Sequence, residues 1–264
     1  MRDDDGPAEK ADMDELSTPQ SFRLDGSTAL ITGASRNIGR AIATAFAQAG
    51  ADLILVARDA ARLARVAEAI GNGTGVFVDY VAADIAEPWG VDAVLDAVAD
   101  VPVDILVNNA HTVGGAARIV SATDAVWESV LATNLWAPLR LARRLVPRME
   151  AAGAGCVINL VSGSGLLPTP ELGPYGVSKA ALWMLTRYLA VEAAPTVRVN
   201  ALCPGLVSED GEPRNESHRA IIASVPMGRV GRPEEIAGAA VYLASQAASY
   251  TTGEMLVVNG GRSW

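Results

Sequence analysis

The chain has 264 residues, half of them apolar and 19% charged, with a formal net charge of −9. That length holds one large α/β domain with a well-buried core. The acidic balance excludes a partner bound through clustered Lys and Arg on phosphates, so no nucleic acid is expected.

Residues 1–21 set seven acids against Arg2 and Lys10 and have no hydrophobic period. This is the pattern of a disordered, solvated tail, so a tail over 1–22 is set apart from a domain over 23–264. The N-terminus lacks the basic start, apolar stretch and small-residue site of a signal peptide, and no apolar run approaches the ~20 residues of a membrane span. A cytoplasmic protein with no membrane partner is expected. Cys156 and Cys203 are too few for a disulfide framework and border apolar runs, where each packs as a small hydrophobe. No metal is expected.

From residue 28 onward, β-branched apolar runs alternate with amphipathic stretches of helical length, the pattern of repeated βαβ units. Strands are expected over 28–32, 53–57, 75–81, 104–107, 156–161, 197–202 and 255–258. Helices are expected over 37–50, 60–70, 88–98, 123–150, 174–193 and 233–245, with a shorter one within 215–224. Thr123 suits an N-cap and Pro233 a first turn. The stretch 204–231 has three prolines and scattered charges, and reads as a surface loop or a mobile lid. The implied fold is a single-domain, doubly wound parallel sheet of about seven strands flanked by helices.

The first strand runs into Thr32-Gly33-Ala34-Ser35-Arg36-Asn37-Ile38-Gly39-Arg40 and then an Ala-rich helix. A small-residue strand-to-helix turn lets backbone N–H groups and a positive helix end meet a pyrophosphate, although such a turn also serves close packing alone. Tyr175 and Lys179 are four residues apart and so share one helical face. A lone pair of this kind is usually two surface residues. Here Ser162 lies 13 residues before Tyr175 at the end of a strand, and Asn134 stands in Ala132-Thr133-Asn134-Leu135.

These residues resemble the short-chain dehydrogenase/reductase family in its single-domain branch, near the 3-oxoacyl-thioester reductases, whose glycine turn reads T-G-x-x-x-G-x-G. The resemblance spans about residues 24–262 and implies a Rossmann-like fold. It also implies hydride transfer between a nicotinamide and a small-molecule carbonyl or alcohol, with catalytic roles for Asn134, Ser162, Tyr175 and Lys179. Tyr175 exchanges the proton, Ser162 polarises the carbonyl, Lys179 lowers the Tyr175 pKa and holds the ribose, and Asn134 positions a water. Cofactor contacts are implied for Gly33, Ser35, Arg36, Asn37, Ile38, Gly39, Asp84, Ile85, Asn109, Ala110, Tyr175, Lys179, Pro204, Gly205 and Val207. Self-association into a dimer or tetramer is implied as well.

Three positions depart from the family pattern: Asn37 replaces the middle glycine, His111 follows Asn108-Asn109-Ala110 where a glycine is usual, and Glu209 stands where threonine is frequent. The second strand ends on Ala57, where an NAD enzyme would place an acid for the ribose hydroxyls. Arg58 beside it, with Arg36, could clamp a 2′-phosphate, so NADP(H) is expected ahead of NAD(H). Both arginines could instead be solvated surface residues. Leu206 and the segment Leu166-Leu167-Pro168 read as an apolar substrate wall or as plain core. Two other readings remain: a different reaction on the same scaffold, and a non-catalytic NADP(H)-binding sensor.

Overall fold

The computed structural model describes residues 18–263. Of the expected tail, residues 1–17 lie outside the described residues. Thr18–Ser21 forms a helical turn, α1, and the Phe22 ring packs on Tyr242 with centroids 6.4 Å apart.

Seven strands follow: β1 Thr28–Thr32, β2 Asp52–Ala57, β3 Val78–Ala82, β4 Ile105–Asn108, β5 Gly155–Leu160, β6 Val197–Pro204 and β7 Met255–Val258. They form one parallel sheet in the order β3-β2-β1-β4-β5-β6-β7. The helices between them are α2 Asn37–Gln48, α3 Ala60–Thr74, α4 Pro88–Ala97, α5 Asp124–Leu131, α6 Ala137–Ala152, α7 Gly173–Glu192, α8 Glu216–Ile222 and α9 Pro233–Ala244. A parallel sheet covered on both faces buries whole strands rather than alternate residues. Accordingly Ile105, Leu106 and Val107 of β4 are all buried.

One core layer packs Phe46 and Ile42 of α2 and Leu243 of α9 on one face of the sheet. The other packs Val94 of α4 and Leu141 and Leu145 of α6 on the opposite face. The sense in which successive strands are added reverses between β1 and β4, which are parallel, and their carboxyl ends open the crevice in which such sheets bind ligands.

Three expected elements come out differently. The second long helix runs on to Thr74, and the third strand starts at Val78 rather than 75. Asp59 caps the start of α3 by accepting the Arg62 N–H at 3.0 Å, and Gly75 closes it at φ 78, returning its N–H to the Gly71 carbonyl. The left-handed closure needs a glycine, so residue 75 ends a helix instead of opening a strand.

The helix expected over 123–150 is three pieces: α5, a π turn over Ala132–Trp136, and α6. The Thr123 side chain makes no cap bond, whereas Pro233 occupies the first turn of α9 as expected. Among the described residues, no helix is long and apolar enough to cross a membrane. Cys156 and Cys203 are both buried and unpaired.

Candidate active site

Beyond the carboxyl end of β1, Gly33 adopts φ 69 and Asn37 φ 48, a left-handed conformation that asparagine tolerates best among residues with a side chain. The glycines are fixed by close approach. A Cβ on Gly39 would lie 2.2 Å from the Gly33 carbonyl, and one on Gly33 would lie 2.7 Å from Asn109 Nδ2.

Thr32 and Asn109 tie the ends of β1 and β4 together. The Thr32 hydroxyl accepts the N–H groups of Asn109 and Ala110 at 3.1 Å each, while Asn109 Nδ2 donates to the carbonyls of Thr32 at 2.9 Å and Gly33 at 3.2 Å. Asn109 thereby shapes the turn as well as facing the crevice. Behind it, Asn108 Nδ2 donates to Asn159 Oδ1 at 2.8 Å and Asn159 Nδ2 to the Thr186 hydroxyl at 2.9 Å, a buried ladder from β4 through β5 to α7.

The crevice is an open cleft of about 2680 Å³, solvent-facing space included. Its walls include Gly33, Ser35, Arg36, Asn37, Ile38 and Gly39 at the turn, and Arg58, Asp84 and Ile85 at one end. Asn109, Ala110, His111 and Val207 line it further along. Asp59 and Arg62 line it too and were not singled out from the sequence; a cap residue and a helix surface residue carry no local mark of a ligand. Asp59 is engaged as the α3 cap. Arg58 Nη1 lies 3.6 Å from Asp84 Oδ2 with most of its side chain exposed, so its guanidinium is available to a ligand. Pro204 and Gly205 are not in the cleft wall. The Gly205 N–H bonds to the Val258 carbonyl at 2.9 Å, and a Cβ there would lie 2.7 Å from Asn259 Cα, so this glycine serves strand packing against β7.

A glycine turn that a Cβ would fill, followed by a helix start and a cleft with an arginine at its far end, suits a dinucleotide. Ser35 to Gly39 would hold the phosphates, Arg58 and Asp84 the adenosine end, and Asn109 and Ala110 the nicotinamide end, while Tyr175 and Lys179 are not in the cleft wall.

Ser162, Tyr175 and Lys179 come together just beyond the carboxyl end of β5, beside this cleft. Ser162 Oγ accepts the Ser164 N–H at 3.2 Å, so its own proton is not spent on that contact. Lys179 Nζ stands 5.8 Å from the centroid of the Tyr175 ring and donates to the Leu160 carbonyl at 2.6 Å. Burial pushes the Tyr175 phenol up, and a hydrogen bond with Ser162 pulls the other way. Burial also lowers the Lys179 ammonium to about 7. The expected depression of the Tyr175 pKa by Lys179 is therefore not found, because the ammonium is turned onto the Leu160 carbonyl and is itself desolvated. The Cys203 thiol, pushed up to about 11 by its own burial, stays protonated nearby.

Asn134 sits in the π turn, fully buried, and three bonds of 2.9 Å hold it. It accepts the Thr112 N–H and donates to the Thr112 carbonyl and to the Ser178 hydroxyl. Ser178 in turn donates to the Tyr175 carbonyl at 2.7 Å. Single-turn π segments inside α-helices recur at functional sites. Sequence reasoning did not single out Thr112 or Ser178, since neither carries a motif of its own.

His111 lies over Tyr175 with ring centroids 6.2 Å apart, and its Nδ1 is 3.1 Å from the Asn109 carbonyl. A carbonyl only accepts, so Nδ1 carries the proton and Nε2 is an acceptor. Desolvation by the surrounding protein, then the charge of Lys179, lower its pKa to about 4, so the imidazole is neutral at neutral pH.

A family model described as enoyl-(acyl carrier protein) reductase matches residues 33–263. Galactitol 2-dehydrogenase (L-tagatose-forming) of Cereibacter sphaeroides is 43% identical over 91% of this chain and 96% of its own. The 3-oxoacyl-(acyl-carrier-protein) reductase of Vibrio cholerae is 37% identical over 91% of this chain and 98% of its own. Among solved structures, L-sorbose reductase from Gluconobacter frateurii, complexed with NADPH and L-sorbose, superposes with a TM-score of 0.85 at 36% identity, covering 92% of this chain and 98% of that one. Sheet, glycine turn and these matches place the chain in one class of Rossmann-fold oxidoreductases. It belongs to the short-chain dehydrogenase/reductase family.

Proposed function

We propose that the chain is an NADP(H)-dependent oxidoreductase that interconverts a ketone or aldehyde and an alcohol, with Tyr175 exchanging the proton on the substrate oxygen. The observation that carries this reading is the meeting of Ser162, Tyr175 and Lys179 at the end of β5, beside the glycine-turn cleft. When bound, the nicotinamide supplies or accepts the hydride.

The protein's own groups do the rest. Ser162, which hydrogen-bonds the Tyr175 phenol in the unliganded site, would turn its hydroxyl proton to the carbonyl oxygen as negative charge develops there. The raised pKa keeps Tyr175 protonated at neutral pH, the form needed to deliver a proton in the reducing direction. Lys179, near 7, can take up or release a proton over the working range. Asn134 fixes the first turn of α7 through Ser178, and so the height of Tyr175 above the sheet.

The choice of NADP(H) rests on Ala57 at the end of β2, on Asp59 being engaged as a helix cap, and on Arg36, Arg58 and Arg62 in the cleft wall. The NADPH bound to the similar L-sorbose reductase supports it. The same relatives direct the substrate search toward hydroxylated ketones and polyols, with 3-oxoacyl thioesters second. Self-association fits the apolar outer face of α7, where Val177, Met184, Tyr188 and Val191 are exposed. The test is oxidation of NADPH and of NADH by a panel of ketoses, simple ketones, aldehydes and 3-oxoacyl thioesters, with polyols in reverse. NADPH-linked turnover supports the reading. Dinucleotide binding without turnover of any member would assign a sensor instead.

A further inference from the structure

Two of the three departures from the family pattern meet in space. Glu209 lies 172 residues beyond Asn37, yet its Oε1 accepts the Asn37 backbone N–H at 2.9 Å. The same oxygen is 3.7 Å from Arg40 Nη2, further along α2. Asn37 is the first residue of α2, and the N–H groups of a first helical turn have no carbonyl partner within the helix. In a glycine-turn site these are the donors that meet a dinucleotide phosphate. The Asn37 side chain leaves its Oδ1 buried without a partner.

The carboxylate comes from the stretch after β6. There Val207 pairs with Gly231, the Ser208 hydroxyl donates to the Glu212 carbonyl at 2.9 Å, and Gly211 adopts φ 76. The Glu209 and Arg40 side chains are 44% and 50% exposed, so no packing locks the contact. A carboxylate and a phosphate oxygen cannot share one N–H, and their like charges repel at that separation.

We propose that Glu209 is an affinity-setting residue of the cofactor site, a tethered anion at the start of α2 that a dinucleotide pyrophosphate must displace. On displacement the segment after Val207 moves with it, and Arg40 is freed to face the phosphate. This rests on the NADP(H) reading given above. It makes cofactor occupancy and the position of the 208–231 segment one coupled event.

The experiment is a direct fluorescence titration of the full chain with NADPH, beside calorimetry with adenosine 2′-monophosphate, which has no pyrophosphate. Glu209→Gln keeps the shape and loses the charge; Glu209→Thr removes the reach. Both variants should bind NADPH on the order of tenfold more tightly than wild type, while adenosine 2′-monophosphate stays within about twofold. Unchanged or weaker NADPH binding overturns the inference, as does an equal change for both ligands, which would mark a general loosening of the fold. If wild type binds NADPH and the variants match it, only this inference fails. If neither wild type nor the variants bind NADPH, the NADP(H) reading falls and takes this one with it.

Discussion

The side-chain amide of Asn134 donates to the Ser178 hydroxyl at 2.9 Å, joining the π turn after α5 to the first turn of α7 across 44 residues. The Ser178 hydroxyl passes the bond on to the Tyr175 carbonyl, so the backbone that carries the phenol is pinned by a buried amide rather than by the phenol's own contacts.

Asn134→Ala would leave the Thr112 N–H and carbonyl and the Ser178 hydroxyl short of partners in the interior. A loss of about 3 kcal/mol in unfolding free energy is expected, against a smaller loss of about 1 kcal/mol for Ser178→Ala, which strips one acceptor from Asn134 and one donor from the Tyr175 carbonyl. Urea unfolding followed by circular dichroism measures both, and equal losses would show that the amide is not the anchor.

Tyr175→Phe keeps the ring and deletes the proton. Turnover should fall roughly 10²- to 10⁴-fold while NADPH affinity stays within about twofold, because the ring contacts remain. Steady-state kinetics beside a binding titration separates the two, and undiminished turnover would remove Tyr175 from the chemistry.

Lys179 is held at about 7 in the folded chain against 10.5 when free. Between those values the unfolded chain binds the extra proton, so for this group stability rises with pH; below 7 both states hold it and the full cost of burying the charge stands. Lys179→Met should therefore gain on wild type most at about pH 6, with the advantage shrinking toward about pH 9.5. The orphaned Leu160 carbonyl adds a cost that does not vary with pH. A difference in Tm that is flat from one pH to the other would contradict the assignment.

Arg58→Ala removes the exposed guanidinium at the adenosine end of the cleft. NADPH should bind roughly 10- to 100-fold more weakly, as loss of a charge-assisted phosphate contact predicts, while NADH changes little. The ratio of the two dissociation constants is the measurement, and a ratio that does not move would return Arg58 to the solvated surface.

Much of this was legible in local sequence. The seven strands show because β-branched runs are short and bounded. The glycine turn and the Tyr175–Lys179 spacing show because both are local geometry, and the 5.8 Å between Nζ and the ring is what one helical turn delivers. What stayed hidden depends on partners distant in the chain. The apolar period runs unbroken across 123–150, so nothing marks the π turn. Thr112 and Ser178 matter only because Asn134 lies between them. Spacing put Lys179 beside Tyr175 but could not say that its ammonium would turn to Leu160, and Glu209 stood out as a departure without showing that it would reach Asn37.

A π turn amounts to one extra residue inserted into an α-helix. Each α-helical residue advances the chain by about 100°, so α5 and α6 are out of phase by roughly that angle compared with a continuous helix. Wound as regular helix with every residue kept, the same stretch would turn Leu141, Leu145 and Met149 off the core they now fill. Deleting a single residue within Ala132–Trp136 removes the insertion and so keeps the present phase. The segment that presents Asn134 is thus also a phase correction for a whole wall of the protein, and a deletion there should disturb the Asn134 contacts before it disturbs the core.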